Sequence, residues 1–89
     1  MSDSQPTVQF YGTTWCGTSR RVRQWFDENH IPYAWIDVDK DKAAEDLVKS
    51  INKGMRSVPT IVFADGSHLT EPSIARLEQK ARELGLLAA

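Results

Sequence analysis

The dipeptide Asp65–Gly66 lies between two short runs of β-formers, Thr60–Phe63 and His68–Thr70, and it constrains the fold more than any other stretch of the chain. Asp–Gly is a strong hairpin-turn signal, so the two runs are expected to pair antiparallel. Upstream, strand and helix patterns alternate. Val8–Tyr11 reads as a strand ending at Gly12, and Tyr33–Asp39 reads as a second. In the latter, Ala34, Ile36 and Val38 share one side and Tyr33, Trp35 and Asp37 the other. Between them, from about Thr18 to Asn29, Val22, Trp25 and Phe26 recur at helical spacing while Arg20, Arg21, Arg23, Asp27 and Glu28 take the remaining face. This helix has to end before Pro32. Asp41 is placed to cap a second helix carrying Ala44, Leu47, Val48 and Ile51, which stops at Gly54. A last helix opens at Pro72 or Ser73, carries Ile74, Leu77, Ala81 and Leu84, and ends at Gly85.

The order is therefore β-α-β-α-β-β-α. A strand-helix-strand unit followed by a helix and a hairpin implies an α/β fold: a four-stranded mixed sheet with a right-handed crossover and helices on both faces. Trp25, Phe26, Trp35 and Phe63 are expected to pack in the core or on the sheet. With 89 residues, the chain is expected to form one domain over 1–89, with a flexible N-terminus at 1–6.

Charge and hydropathy exclude several classes of function. Eleven basic against twelve acidic residues leave a net charge of −1, with no basic excess to attract nucleic acid or an anionic membrane. No run approaches the roughly 20 apolar residues of a membrane span, and the polar start Met1–Pro6 does not read as a signal peptide. The single cysteine cannot form an internal disulfide, which fits a reducing, cytoplasmic setting. His30 and His68 are isolated, so no metal ligation and no bound cofactor are expected.

That cysteine, Cys16, stands in the stretch TTWCGTS between the end of the first strand and the start of the first helix. A free thiol with a pKa of about 8.5 is little ionised at neutral pH, and disulfide exchange needs the thiolate. The unpaired N–H groups of Gly17, Thr18 and Ser19 at a helix start, with Arg20 one turn on, would favour negative sulfur. Ser19 faces the same side of the helix three residues later, and its hydroxyl can donate to the sulfur. It cannot resolve a mixed disulfide. Three readings of Ser19 stay open: a natural one-cysteine site, a helix-capping serine, and a replacement made to trap an adduct in a two-cysteine protein.

The stretches FYGTTWCGTS, YAWIDVD and SVPTIVFADGS together resemble the glutaredoxin branch of the thioredoxin fold over about Val8 to Leu84. Within that branch, the WCG entry, SVPTIVF and the EPS before the last helix are most similar to mycoredoxins. The resemblance implies a thiol-disulfide oxidoreductase that uses a low-molecular-weight thiol, mycothiol or glutathione, as cosubstrate and acts on oxidised or thiolated proteins. It also implies a cis peptide at Pro59, with the backbone of Val58 facing the sulfur. Two features depart from the wider family: serine at 19, and LTEPS where a GG-x-D sequence is usual.

Around the thiol, Tyr11, Thr13, Thr14 and Trp15 are expected to line the approach, Trp15 as a flat rim. Arg56 is a candidate partner for a carboxylate of the small thiol, and Ser73 at the last helix start a candidate for an anionic group. Two rival functions remain. A one-cysteine glutaredoxin can carry an iron-sulfur cluster on thiolates from two subunits, although no lysine precedes Cys16 as it does there. A noncatalytic module would use the proline-edged groove for an extended peptide and leave Cys16 unreactive. The expected protein is a monomer, although an exposed thiol can pair with its copy.

Overall fold

The structure is a computed structural model, described here for residues 8–87. The N-terminal segment 1–6 lies outside the described residues. The elements are β1 (Gln9–Gly12), α1 (Gly17–Glu28), β2 (Ala34–Asp37), α2 (Lys42–Ile51), β3 (Thr60–Val62), β4 (His68–Thr70) and α3 (Ile74–Glu83). The sheet order is β2-β1-β3-β4. β1 runs parallel to β2 and antiparallel to β3, and β4 pairs antiparallel with β3 across the Asp65–Gly66 turn. The expected α/β thioredoxin fold with a mixed four-stranded sheet is therefore the fold observed.

Alternation along β1 divides the interior. Phe10 points to the face covered by α1 and α3, where it meets Val22, Phe26, Ile61, Leu77 and Ala81. The Phe10 and Phe26 rings meet edge to face with centroids 5.7 Å apart. Tyr11 points the other way, into a smaller cluster with Val38, Ala44 and Val48 under α2. Trp25 and Trp35 are half-buried against the larger cluster, while Phe26 and Phe63 are buried in it, as their spacing implied.

The helix ends follow their caps. Asp41 accepts the Ala44 N–H at 3.0 Å and opens α2, and Ser73 accepts the Arg76 N–H at 3.1 Å and opens α3. Gly54 and Gly85 follow their helices at positive φ. The strands are shorter than their sequence pattern. β2 stops at Asp37 because β1 offers partners only to Gly12, and the chain then turns through Lys40 N–H to Asp37 C=O at 3.1 Å. Phe63 belongs to the hairpin turn, accepting the Gly66 N–H at 2.9 Å.

Phe26→Ala removes a fully buried ring between β1, α1 and β2. It should lower stability by about 3–5 kcal/mol, read as a lower denaturant midpoint with an unchanged slope; a loss below about 1 kcal/mol would mean that the cluster is not close-packed there.

Candidate active site

Cys16 is the N-cap residue of α1, with extended backbone (φ −80°, ψ 122°) and a half-buried side chain. Its carbonyl accepts the Arg20 N–H at 3.1 Å and so begins the helical ladder. The N–H groups ahead of it therefore remain without helical partners, and the first turn of α1 holds no acidic residue to cancel the positive helix end. Burial pushes the thiol pKa up. The Ser19 N–H, the Ser19 hydroxyl and the Thr18 N–H outweigh it, and the net pKa lies below the ordinary thiol value. The Ser19 hydroxyl is fully buried and makes no hydrogen bond of ordinary geometry to the neutral thiol. Charge on the sulfur turns it into the stronger acceptor that this hydroxyl lacks.

Glu71 opposes the thiolate through its charge. It sits in the turn into α3 at φ 47°, and its N–H donates to the Pro59 carbonyl at 2.8 Å. That bond ties the α3 entrance to the proline loop. The Val58–Pro59 peptide is cis, as the resemblance implied, with Pro59 buried and Val58 half-buried. Beneath the loop, Asn52 donates to Thr60 Oγ1 at 3.0 Å and accepts from Thr70 Oγ1 at 2.6 Å, while Thr60 Oγ1 donates to the Ser57 carbonyl at 2.7 Å.

Gly12 closes the underside. A Cβ there would stand 3.0 Å from both Ser19 Oγ and the Trp35 ring, so a side chain would press on both and force them to shift, and glycine lets the end of β1 and the start of α1 approach closely.

Cys16, Gly17, Thr18 and Ser19 are thus gathered at one helix start, with Glu71 acting on the same sulfur. Trp15 and Thr14 are exposed beside it. Arg20 contributes its backbone N–H, and its side chain is exposed and is not among the groups acting on the sulfur. Tyr11 corrects the sequence reading: its ring is buried in the cluster under α2 and does not line the approach. The reason is the strict alternation of a strand, which sends Tyr11 to the face opposite Phe10. The Ser73 hydroxyl oxygen is engaged in capping α3. Arg56, expected to await a substrate carboxylate, is held by two carboxylates of its own chain, Glu45 at 2.6 Å and Asp39. Asp39 and Glu45 carry no signal in the linear sequence beyond their charge.

A glutaredoxin family model matches residues 8–69, more than half of the chain. The chain belongs to the glutaredoxin family. It is 43% identical over 73 residues to the provisionally named glutaredoxin Rv3198A of Mycobacterium tuberculosis (strain H37Rv), covering 82% of this chain and 87% of that one. It is 40% identical over 77 residues to mycoredoxin 1 of Corynebacterium glutamicum (strain ATCC 13032), covering 86% of this chain and 95% of that one. Among solved structures, the thioredoxin-like protein BC3987 superposes with a TM-score of 0.71 at 28% identity, over 81% of this chain and 96% of that one. Membership of the glutaredoxin family supports a thiol-disulfide oxidoreductase role for this chain.

The hydroxyl and the carboxylate that act on the sulfur give opposite expectations. Ser19→Ala removes a donor to the anion and should raise the pH midpoint of Cys16 alkylation, while Glu71→Gln removes a repulsion and should lower it. Alkylation rates measured across pH check both; a midpoint that moves in neither variant would remove these groups from the account of the thiolate.

Proposed function

We propose that this glutaredoxin reduces mixed disulfides between proteins and a low-molecular-weight thiol, mycothiol or glutathione, by a one-cysteine route in a cytoplasmic setting, as a monomer. The observation that carries the reading is the lone thiol at the N-cap of α1, its pKa lowered, with a serine where a two-cysteine enzyme keeps its second sulfur.

The Cys16 thiolate attacks the small-thiol sulfur of the mixed disulfide. The S–S bond breaks, the substrate protein leaves as a thiolate and takes a proton from solvent, and a Cys16 adduct with the small thiol remains. Ser19 has no sulfur to displace it. A second small thiol, as thiolate, therefore attacks the adduct, releasing the small-thiol disulfide and returning the Cys16 thiolate. The N–H groups of Gly17, Thr18 and Ser19 and the Ser19 hydroxyl support the negative sulfur at each stage. The half-buried backbone of Val58, beside Pro59, offers an extended substrate chain its hydrogen bonds, Trp15 and Thr14 flank the entry, and the α3 start at Ser73 offers N–H groups to an anionic part of the small thiol.

Intact mass tests this directly. Reduced protein mixed with peptide disulfides of mycothiol and of glutathione should gain one small-thiol mass with one of them, and Cys16→Ala should gain none. Ser19→Cys should keep exchange and add a second route in which the adduct is lost without added thiol. Absence of any adduct in the unmodified chain would overturn the reading, and iron copurifying with the protein would then favour the cluster carrier.

A further inference from the structure

Trp15 is 66% exposed, yet it is not free. Its indole N–H donates to Asp39 Oδ2 at 2.7 Å. The other oxygen of Asp39 receives Nη2 of Arg56, whose Nε donates to Glu45 Oε2 at 2.6 Å. Glu45 lies 3.7 Å from Lys42 Nζ on α2. Asp39 is itself oriented by the turn after β2, where its backbone N–H donates to Asp37 Oδ1 at 2.9 Å. The chain of contacts therefore starts one residue before the thiol, crosses the end of β2 and α2, and finishes two residues before Val58. It joins the segment that carries the thiol to the segment that leads into the cis proline.

An exposed tryptophan ordinarily gives its N–H to water and turns about its side-chain torsions. Here one donor, on an otherwise solvent-facing ring, is matched to a carboxylate whose second oxygen is fixed by a guanidinium. A planar fork that meets two carboxylates at once sets the direction of both, which a lysine at the same place would not do. Burial does not order this ring, because two thirds of it faces solvent. The hydrogen bond does.

We infer that Asp39 and Arg56 are positioning residues that hold the Trp15 ring as a fixed shelf beside Cys16 for the incoming mixed disulfide. The inference rests on the exchange reaction proposed above and assigns Arg56 a different task from anchoring a substrate carboxylate. A shelf fixed before binding lowers the ordering cost of the encounter, so its loss weakens substrate binding and leaves the chemistry at sulfur intact.

The experiment has a spectroscopic arm and a kinetic arm. In ¹H–¹⁵N spectra the Trp15 indole resonance, identified as the one missing from Trp15→Phe, should move upfield in Asp39→Ala and in Arg56→Met, with the Trp25 and Trp35 indoles unchanged. In exchange with a peptide mixed disulfide, Asp39→Ala should raise KM about two- to fivefold, the size of an exposed charged contact, with kcat and the Cys16 alkylation midpoint unchanged. Asp39→Asn, which keeps an oxygen acceptor for the indole, should recover most of that loss. In a Trp15→Phe background, Asp39→Ala should add nothing, because the interaction it removes is already gone. An unmoved Trp15 resonance, or an equal KM increase with phenylalanine at 15, would overturn the proposal. An unmodified chain without exchange would instead count against the proposed reaction, and the spectra alone would then decide whether the ring is held.

Discussion

Strand β1 is four residues long and hydrogen-bonded along both edges, to β2 on one side and β3 on the other. Its register fixes which side chain goes to which face: Phe10 to the α1 and α3 side, Tyr11 to the α2 side. A slip of one residue would exchange them and expose one cluster while overfilling the other. At its end, Gly12 sets how closely α1 can approach, since Ser19 Oγ and the Trp35 ring already occupy the space a side chain would need. The close fit of α1 at the end of β1 thus depends on a glycine four residues before Cys16.

The loop that leads into β3 and the loop that starts α1 are held differently. The segment ahead of β3 is secured from below by Asn52, Thr60 and Thr70, side chains from the C-cap of α2, from β3 and from β4 that satisfy one another. These hydrogen bonds are directional and partly sheltered from water, so they fix position as well as contribute stability. The start of α1 is held by backbone geometry and leaves its donors turned toward the sulfur. One loop is satisfied internally, and the other keeps unsatisfied donors for chemistry.

Much of this was legible in the chain because the signals are local. Asp41 and Ser73 announce their helices through a hydroxyl or carboxylate at the right offset, Asp65–Gly66 announces its turn, and Cys16 announces itself by lying between a strand pattern and a helix pattern. Strand ends were less legible, because Asp37 and Val62 are terminal only in relation to partners supplied by β1 and β4. Tyr11 was misplaced although alternation alone would have moved it, since Phe10 and Tyr11 cannot face the same side. The partners of Arg56 could not be read at all. Asp39 and Glu45 stand 17 and 11 residues away, and a surface with twelve acidic residues offers many equivalent choices until the fold brings two of them together.

Thr13 is fully buried, and its hydroxyl has no partner among the described residues. A buried hydroxyl left unpaired costs about 1–3 kcal/mol, a sizeable part of what a domain of this size has in hand. Unlike Ser19, Thr13 is not among the groups that act on the sulfur, so nothing at the thiol offsets that cost. The segment between β1 and α1 therefore carries a cost that a single near-isosteric exchange, Thr13→Val, would remove, and a more heat-resistant version of the chain can be sought there.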